Sequence, residues 1–303
     1  MRSSDAHLER ALEEYNDKVN RLEDEGNTKE LLDAYINRGM ILSMMECNVS
    51  AIDDFNEAIS IITDLENSGH SVDPGYFVKC YISRGELQSV DGGDSMADDY
   101  CIAASRLKEL QPTSKYYDER KIIDMCSNCA GDMIDSEHPV EALDFINKGM
   151  SLLVGRTEDD YRNCYVEFSN LLGQYYMDTT EAQKAYDTFK ESIRVAKELY
   201  ESGKLDEMMD LVLAYVSKGD MDEVLELESE FFADREAAIE LMEDMKICGT
   251  LDDDELLSSL HGEIAQAYMQ KGKIKEAEKH LMKQVSYNLS GSTEYLNGDY
   301  DDE

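Results

Sequence analysis

The 303-residue chain contains no tryptophan and only 3 prolines. Because proline interrupts helices, its scarcity beside abundant Glu, Leu, Ala, Met and Lys favours helical structure. No run of 18 or more apolar residues occurs, so the sequence predicts no membrane-spanning helix. The first five residues lead into an acidic amphipathic stretch instead of a hydrophobic signal segment. We therefore expect a soluble protein of the cytoplasm.

Basic residues are also scarce: 29 Lys and Arg stand against 67 Asp and Glu, a formal net charge of −38. Such an acidic surface repels phosphate backbones and anionic lipid, so nucleic acid and membranes are not expected as partners. A basic or amphipathic protein or peptide fits better. The acidic residues are spread along the chain, which is typical of solvated helix faces and also fits a role in solubility alone.

The sequence lacks the motifs of common catalytic and metal sites. It has no Gly-rich phosphate loop and no His-x-x-x-His pair. Spacing identifies neither a Ser-His-Asp set nor a pair of catalytic carboxylates. The acidic run at 252–255 lacks the Gly-centred loop of a calcium hand. We therefore predict no cofactor, no metal and no enzymatic activity.

The 7 cysteines show no disulfide-framework spacing, which indicates reduced thiols that serve as small apolar side chains. Cys126 and Cys129 form a Cys-x-x-Cys, so a redox or zinc function remains open as an alternative. Both are predicted to lie on one face of a helix, at positions that Ser169 and Leu172 occupy in another copy of the repeat described next. Core packing is the preferred interpretation.

A spacing of small and aromatic residues recurs along the chain. Gly39 is followed after twelve residues by Ala51 and after four more by Phe55, and the rhythm starts again at Gly85 and Gly173. Repetition of this kind indicates an array of helix pairs. The steps between successive small residues of the second helices are 46, 45, 43, 39 and 53. These small-residue positions are Ala51, Ala97, Ala142, Ala185, Val224 and Ala277.

Helical periodicity predicts about six antiparallel helix pairs after an N-terminal helix at 5–25. The predicted pairs run over 28–45 with 49–66, 74–89 with 94–110, 114–134 with 139–153, 157–178 with 180–200, a looser fifth pair, and 253–270 with 273–288. In the fifth pair, Lys218-Gly219-Asp220 is interpreted as a turn, followed by one long helix over 221–247 or by two helices broken near 233–234. The predicted regions are a capping helix (1–26), a repeat array (27–289) and an acidic flexible tail (290–303).

On these residues the chain resembles the tetratricopeptide repeat family over 28–288. The twelve-residue Gly-to-Ala spacing agrees with the family, whereas the period of about 45 residues exceeds the usual length of about 34. The Trp that often opens the family's motif and most of its closing prolines are missing. The resemblance implies an all-α fold, a right-handed superhelical solenoid of antiparallel helix pairs. A solenoid of another helix-pair type is the structural alternative.

In the resembled family, the first helices line a concave groove that takes an extended peptide or a partner helix. Its side chains lie three before, one after and four after the motif's Gly. Carried over, these positions are Ile36, Met40, Ser43, Ile82, Glu86, Ser89, Ser127, Gly131, Ile134, Asn170, Gln174 and Met177. One sub-family grips the acidic C-termini of chaperones with Lys, Arg and Asn. Those places hold Ile36, Met40, Ser83, Asp124 and Asn128 here, so that activity is not expected.

The resemblance and the charge together predict a protein-interaction scaffold or adaptor that binds a protein or peptide in its concave groove. A regulatory or self-associating signalling module, with the 221–247 segment as its seam, is the alternative from another class. The sequence does not determine the oligomeric state.

Overall fold

A computed structural model of the protein describes residues 5–25, 28–89, 94–251 and 253–297. Within these ranges the chain forms thirteen helices and no strand. It divides into two compact units, residues 1–152 (unit 1) and 153–303 (unit 2). No helix in the described ranges has the length and apolar character to cross a membrane.

Apart from the fifth pair, the helices follow one another as predicted from periodicity. Those that begin in unit 1 are α1 (Asp5–Glu25), α2 (Thr28–Met44), α3 (Asn48–Asn67), α4 (Pro74–Ser89), α5 (Asp94–Leu107), α6 (Glu119–Asp135) and α7 (Pro139–Leu153). Unit 2 contains α8 (Asp159–Asp178), α9 (Ala182–Glu201), α10 (Met208–Val224), α11 (Glu228–Cys248), α12 (Glu255–Gln270) and α13 (Ile274–Asn297). Pro74 and Pro139 each open a helix, where proline's missing N–H costs no hydrogen bond.

Consecutive helices pack in pairs, as the sequence predicts. In unit 1, α2 packs on α3 and α4 on α5, while α1 covers α2 through Val19 and Leu22. In unit 2, the pairs are α8 with α9, α10 with α11, and α12 with α13. α13 continues to Asn297, beyond the predicted end near 288, and residues 298–303 of the predicted tail lie outside the described residues.

The glycines of the repeat lie beneath the aromatic residues that the spacing pairs with them. A Cβ added to Gly39 would stand 3.2 Å from the Phe55 ring, and one added to Gly173 would stand 2.5 Å from Phe189. A side chain at these positions would collide with the ring, so glycine allows the two helices to approach. The predicted packing role of the Gly-to-aromatic spacing is thus visible in atomic contacts.

Two further features keep the same register. The residue seven after the Gly position turns the chain with positive φ, as at Glu46 (59°), Glu226 (59°) and Gly272 (70°). The residue before the Gly is basic in three copies and pairs with the Asp that precedes the aromatic position. These pairs are Arg38 with Asp54, Arg84 with Asp99, and Lys218 with Asp234, with shortest N–O distances of 2.7, 2.5 and 2.6 Å. Sequence reasoning missed this ion pair, although Arg-Gly is followed by Asp-Phe sixteen residues later in the first copy and by Asp-Tyr fifteen residues later in the second.

The prediction for the fifth copy is wrong. Lys218-Gly219-Asp220 lies inside α10 and is not a turn, and α11 is one helix from Glu228 with no break near 233–234. Val224 ends α10 with 62% of its surface exposed, so it is not the packing residue. Counting twelve from Gly219 places Phe231 there instead.

This correction makes the repeat regular. The last two steps become 46 and 46 residues, from Ala185 to Phe231 and from Phe231 to Ala277. The error arose because Arg235 stands at the aromatic position, with Nη1 2.8 Å from where a Gly219 Cβ would be. Its charge is paired with Asp220 and Glu263, which allows an arginine to fill a buried packing place.

Candidate functional site

Unit 1 contains a groove of ≈ 760 Å³ bordered by α1, α2, α4, α6 and the connection between α5 and α6. Four of the predicted groove residues line it: Ile36 and Met40 from the first copy, and Ile82 and Glu86 from the second. The positions three before and one after the Gly therefore meet around one cavity. We call it the unit-1 groove.

The floor of the unit-1 groove is apolar. It is formed by Ile36, Met40, Val78, Ile82, Ile122 and Met125. The isoleucines at 36 and 82 retain only 3% and 4% of their surface exposed, so they form a fixed base. The two methionines are half-buried, and their unbranched thioethers adapt to ligands of different shape. Such a floor favours burial of apolar side chains from a partner.

One wall of the groove is the α5–α6 connection, residues 108–118, which the sequence assigned in part to helices. Ser114 Oγ contacts both carboxylate oxygens of Asp73 at 2.9 and 2.8 Å, and Lys115 Nζ lies 2.7 Å from Asp33. The Tyr116 ring packs over Gly75, 2.6 Å from where a Cβ would stand. Part of the repeat's extra length is therefore used to build this wall.

The charged groups of the groove are held close to apolar surface. Burial opposes the charge of Lys115, but hydrogen bonds with Asp33 and with the Tyr76 hydroxyl outweigh it and raise the pKa of the ammonium. Burial raises the pKa of Glu86, and Asp132 adds to the rise while Lys79 opposes it. Lys115 is therefore a permanent cation at neutral pH and not a proton acceptor.

The other predicted positions of unit 1 do not line this groove. Ser43, Gly131 and Ile134 are half-buried and Ser127 is buried in α6. The side chain of Ser89 lies outside the part of the chain that the structure describes. The groove thus draws on the first two copies and on the start of α6.

The three predicted residues of α8 in unit 2 have structural contacts. Asn170 Nδ2 donates to the backbone oxygen of Asp210 at 2.9 Å, and its Oδ1 accepts from Ser192 Oγ at 2.7 Å. Gln174 donates to Asp178 at 3.0 Å, and Met177 packs against the core of unit 2. Asn170 therefore ties α8 to α9 and to the helix after it.

The Cys-x-x-Cys lies on α6 with both thiols in the core. Cys126 and Cys129 are 0% and 1% exposed. Burial raises the pKa of Cys126 to about 12 and that of Cys129 well above its ordinary value. Because the thiolate is the reactive and metal-binding form, these positions suit packing. Across the described ranges, no three His, Cys, Asp or Glu side chains are grouped to hold a metal.

Comparison with known proteins finds one matching family model and several similar solved structures. The family model described as tetratricopeptide repeat matches residues 258–301, the α12–α13 pair. No curated protein matches the chain. Among solved structures, the apo form of RapI is 18% identical, with 91% of this chain and 75% of RapI covered and a TM-score of 0.59.

Two other structures are similar. Aspartyl phosphate phosphatase F from Bacillus subtilis is 12% identical, with 96% of this chain and 76% of that protein covered and a TM-score of 0.57. The C-terminal part of a TPR repeat-containing protein from Cytophaga hutchinsonii is 15% identical, with 93% and 94% covered and a TM-score of 0.53. At these identities the likeness establishes the helical-repeat fold and carries no activity with it.

Proposed function

We propose that the chain is a tetratricopeptide repeat protein that acts as a protein-interaction scaffold or adaptor, and that its unit-1 groove binds an amphipathic segment of a protein or peptide. The observation that carries this proposal is the convergence of Ile36, Met40, Ile82 and Glu86 on one cavity. Their positions were taken from the family's peptide-binding register, independently of any cavity. Packed helices that present such a groove use apolar anchors for affinity and polar rims for orientation.

An amphipathic partner is favoured over a purely basic one by the composition of the groove. Its floor offers six apolar side chains, which gain nothing from a partner that is charged on all sides. Lysines and acidic residues stand around that floor, so the partner's polar face has charged groups to meet. The groove therefore fits a partner segment with one apolar and one polar face.

The proposal includes no catalysis and no self-association through α11. The cation Lys115 is paired, and the Cys126 and Cys129 thiols are buried, so none of the three is an activated nucleophile or base. α11 turns Phe231, Ala238 and Met242 into the core of unit 2, which leaves less apolar surface for a second copy. We also place the protein in the cytoplasm, because exposed free thiols such as Cys47 persist in reducing compartments.

Selection of a random peptide library displayed on phage, with the full chain as bait, tests the proposal. Met40→Glu and Met125→Glu place a charge on the groove floor at half-buried positions, so they should weaken the selected peptides about tenfold or more. Met282→Glu is the control, since Met282 is 74% exposed on α13. Circular dichroism verifies that each variant remains folded. Absence of any enriched peptide, or equal binding by all three variants, would contradict the proposal.

A further inference from the structure

We propose that the segment seated in the unit-1 groove carries carboxylates, so that the site selects an acidic amphipathic partner although the chain itself has a net charge of −38. This inference rests on the proposed function and specifies the partner's polar face. It opposes the basic partner that the overall composition suggests. The reason is that the charges which line the groove differ from those of the surface around it.

The lysines of unit 1 are concentrated at the groove. Residues 1–152 contain 14 basic and 31 acidic side chains, so acidic residues outnumber basic ones by more than two to one. At the groove the balance is reversed, with four basic and three acidic side chains. The lysines are Lys18, Lys79, Lys115 and Lys121. The acidic residues are Asp33, Glu86 and Asp118.

Two of the three carboxylates are already neutralised by lysines of the groove. Lys115 Nζ lies 2.7 Å from Asp33, and Lys121 Nζ lies 3.8 Å from Asp118. The lysines at 18 and 79 form no hydrogen bond or salt bridge with any other residue in the described ranges, although Lys18 lies 5.4 Å above the Tyr15 ring. The groove therefore presents two half-buried lysines without a salt bridge, of which Lys79 acts electrostatically on the third carboxylate, Glu86.

These two lysines reach the groove from different helices. Lys18 belongs to α1 and Lys79 to α4. Both line the same cavity as the apolar side chains of the floor. A segment that buries its apolar side chains on the floor would bring its polar face near both ammonium groups. Carboxylates there would gain charge-assisted hydrogen bonds, whereas lysines or arginines would meet like charge. Close charges of this kind determine which partner fits more than they determine total affinity.

The arrangement differs from the chaperone-binding pattern weighed from the sequence. The places used by that sub-family are occupied here by Ile36, Met40, Ser83, Asp124 and Asn128. The cations of the unit-1 groove are instead supplied by the N-terminal helix, by α4, by the α5–α6 connection and by α6. A partner's side-chain carboxylates along a helix or strand can meet cations spread in this way.

Charge reversal in the full chain tests the inference. Lys18→Glu and Lys79→Glu change the groove, while Lys29→Glu alters the same net charge at an exposed position of α2 that does not line it. The probes are a random phage-displayed peptide library and then one selected peptide, synthesised as selected and with each Asp and Glu replaced by Lys. We expect selected sequences to combine large apolar residues with Asp and Glu. Each groove variant should weaken the synthetic peptide about tenfold, and Lys29→Glu less than about twofold.

The sign of the salt dependence gives a second measurement. The protein's negative field repels an acidic peptide at long range, so raising salt from low to physiological strength should increase its association rate. A basic peptide would associate more slowly under the same change.

The outcomes separate this inference from the proposed function. Selection of Lys- and Arg-rich peptides whose binding is lost in Met40→Glu would overturn the acidic partner and leave the groove function standing. Acidic peptides that bind Lys18→Glu and Lys79→Glu as well as the unchanged protein would also overturn it. Absence of any enriched peptide would remove both proposals. Acidic peptides lost in the groove variants and retained by Lys29→Glu support it.

Discussion

The basic residue of the repeat's ion pair is partly exposed in unit 1 and buried in unit 2, whereas its Asp partner is buried in the first two copies. In the first copy, Arg38 holds Asp54 through two hydrogen bonds of 2.8 and 2.7 Å while its side chain stays 19% exposed. In the fifth copy, Lys218 takes the position with 8% exposure and contacts both Asp222 and Asp234. The same position of the repeat thus holds a partly exposed arginine with one Asp partner in unit 1 and a buried lysine with two Asp partners in unit 2.

This difference shows where each unit can tolerate change. In unit 1, water reaches the Arg38 side chain but not Asp54, which is 5% exposed, so removal of the arginine leaves one buried carboxylate unpaired. A buried cluster leaves an unpaired charge in a medium that solvates it poorly. Unit 1 combines one-carboxylate pairs with the open groove, whereas unit 2 encloses the basic side chains of Lys218 and Arg235 in its core. We therefore propose unit 1 for recognition and expect the stability of unit 2 to depend on its buried polar contacts.

The largest expected effect is the loss of the buried lysine. Lys218→Met removes the ammonium between two carboxylates, and burial already raises the pKa of Asp222. We expect unit 2 to lose about 3–5 kcal/mol of unfolding free energy, because an uncompensated carboxylate remains inside. Arg38→Met in unit 1 should cost less, about 2 kcal/mol, because it leaves one buried carboxylate, Asp54 at 5% exposure, where Lys218→Met leaves two. Urea denaturation followed by circular dichroism measures both.

Lys190→Met is the matched control for Lys218→Met. Both lysines lie over the ring of Tyr186, at 5.6 Å for Lys190 and 4.4 Å for Lys218, but Lys190 is exposed. The control should leave the denaturation midpoint almost unchanged. If Lys218→Met and Arg38→Met lower the free energy of unfolding equally, the difference in burial between the two lysine and arginine positions does not affect stability.

The second prediction concerns a buried histidine pair in unit 2. Nδ1 of His261 lies 2.9 Å from Nδ1 of His280, so one imidazole must donate and the other accept. Burial and then the neighbouring His280 lower the pKa of His261 to about 4, and burial lowers that of His280. Glu243 of α11 faces the pair and favours the charged form, while Lys283 of α13 opposes it.

The sign of the pH effect follows from these lowered pKa values. The unfolded chain takes up protons below about 6.5, whereas the folded His261 resists protonation until about 4. Stability from the pair is therefore fully present above pH 6.5 and is lost as the pH falls toward 4, by about 2–3 kcal/mol. His261→Gln should flatten this part of the pH profile in urea denaturation. His7→Asn, at an exposed position of α1, should retain the slope of the unchanged protein, and an equal slope in His261→Gln would refute the assignment.

Local register was predictable from the sequence because it depends on neighbours within one helix pair. Gly39 with Phe55, and Gly173 with Phe189, require only a crossing of two adjacent helices. The same local register aligns the positions three before and one after the Gly in the first two copies, which line one cavity. The prediction for the fifth copy was wrong because Arg235 replaces the aromatic residue. No local sequence pattern indicates that Asp220 and Glu263 pair with this arginine.

Long-range folding of connections was not predictable in this way. Lys115 and Asp33 are 82 residues apart, and nothing in either local sequence indicates that the α5–α6 connection folds back onto α2 and α4. The helical register predicts on which face of the helix a residue lies. Whether that face is accessible to a ligand depends on how the neighbouring connection folds. This explains why Ile82 lines a groove while Asn170, at the equivalent position of α8, is engaged by Asp210 and Ser192.

The smallest predicted stability change compares two Gly positions whose added Cβ atoms would meet the facing ring at different distances. Gly85 of unit 1, at 2.5 Å from Tyr100, is as tight as Gly173 of unit 2. An added Cβ would stand 2.5 Å from Phe189 at Gly173 but 3.2 Å from Phe55 at Gly39. Gly173→Ala should therefore cost about 2 kcal/mol and Gly39→Ala about 1 kcal/mol or less, since overpacking displaces the ring further in unit 2. Gly131→Ala in α6 is the control, because nothing lies within 4 Å of its added Cβ. It should stabilise by about 0.5–1 kcal/mol through the lower entropy of the unfolded chain. Equal melting shifts for the alanines at 39 and 173 would mean that the rings of Phe55 and Phe189 yield alike, whatever the distance of the added Cβ.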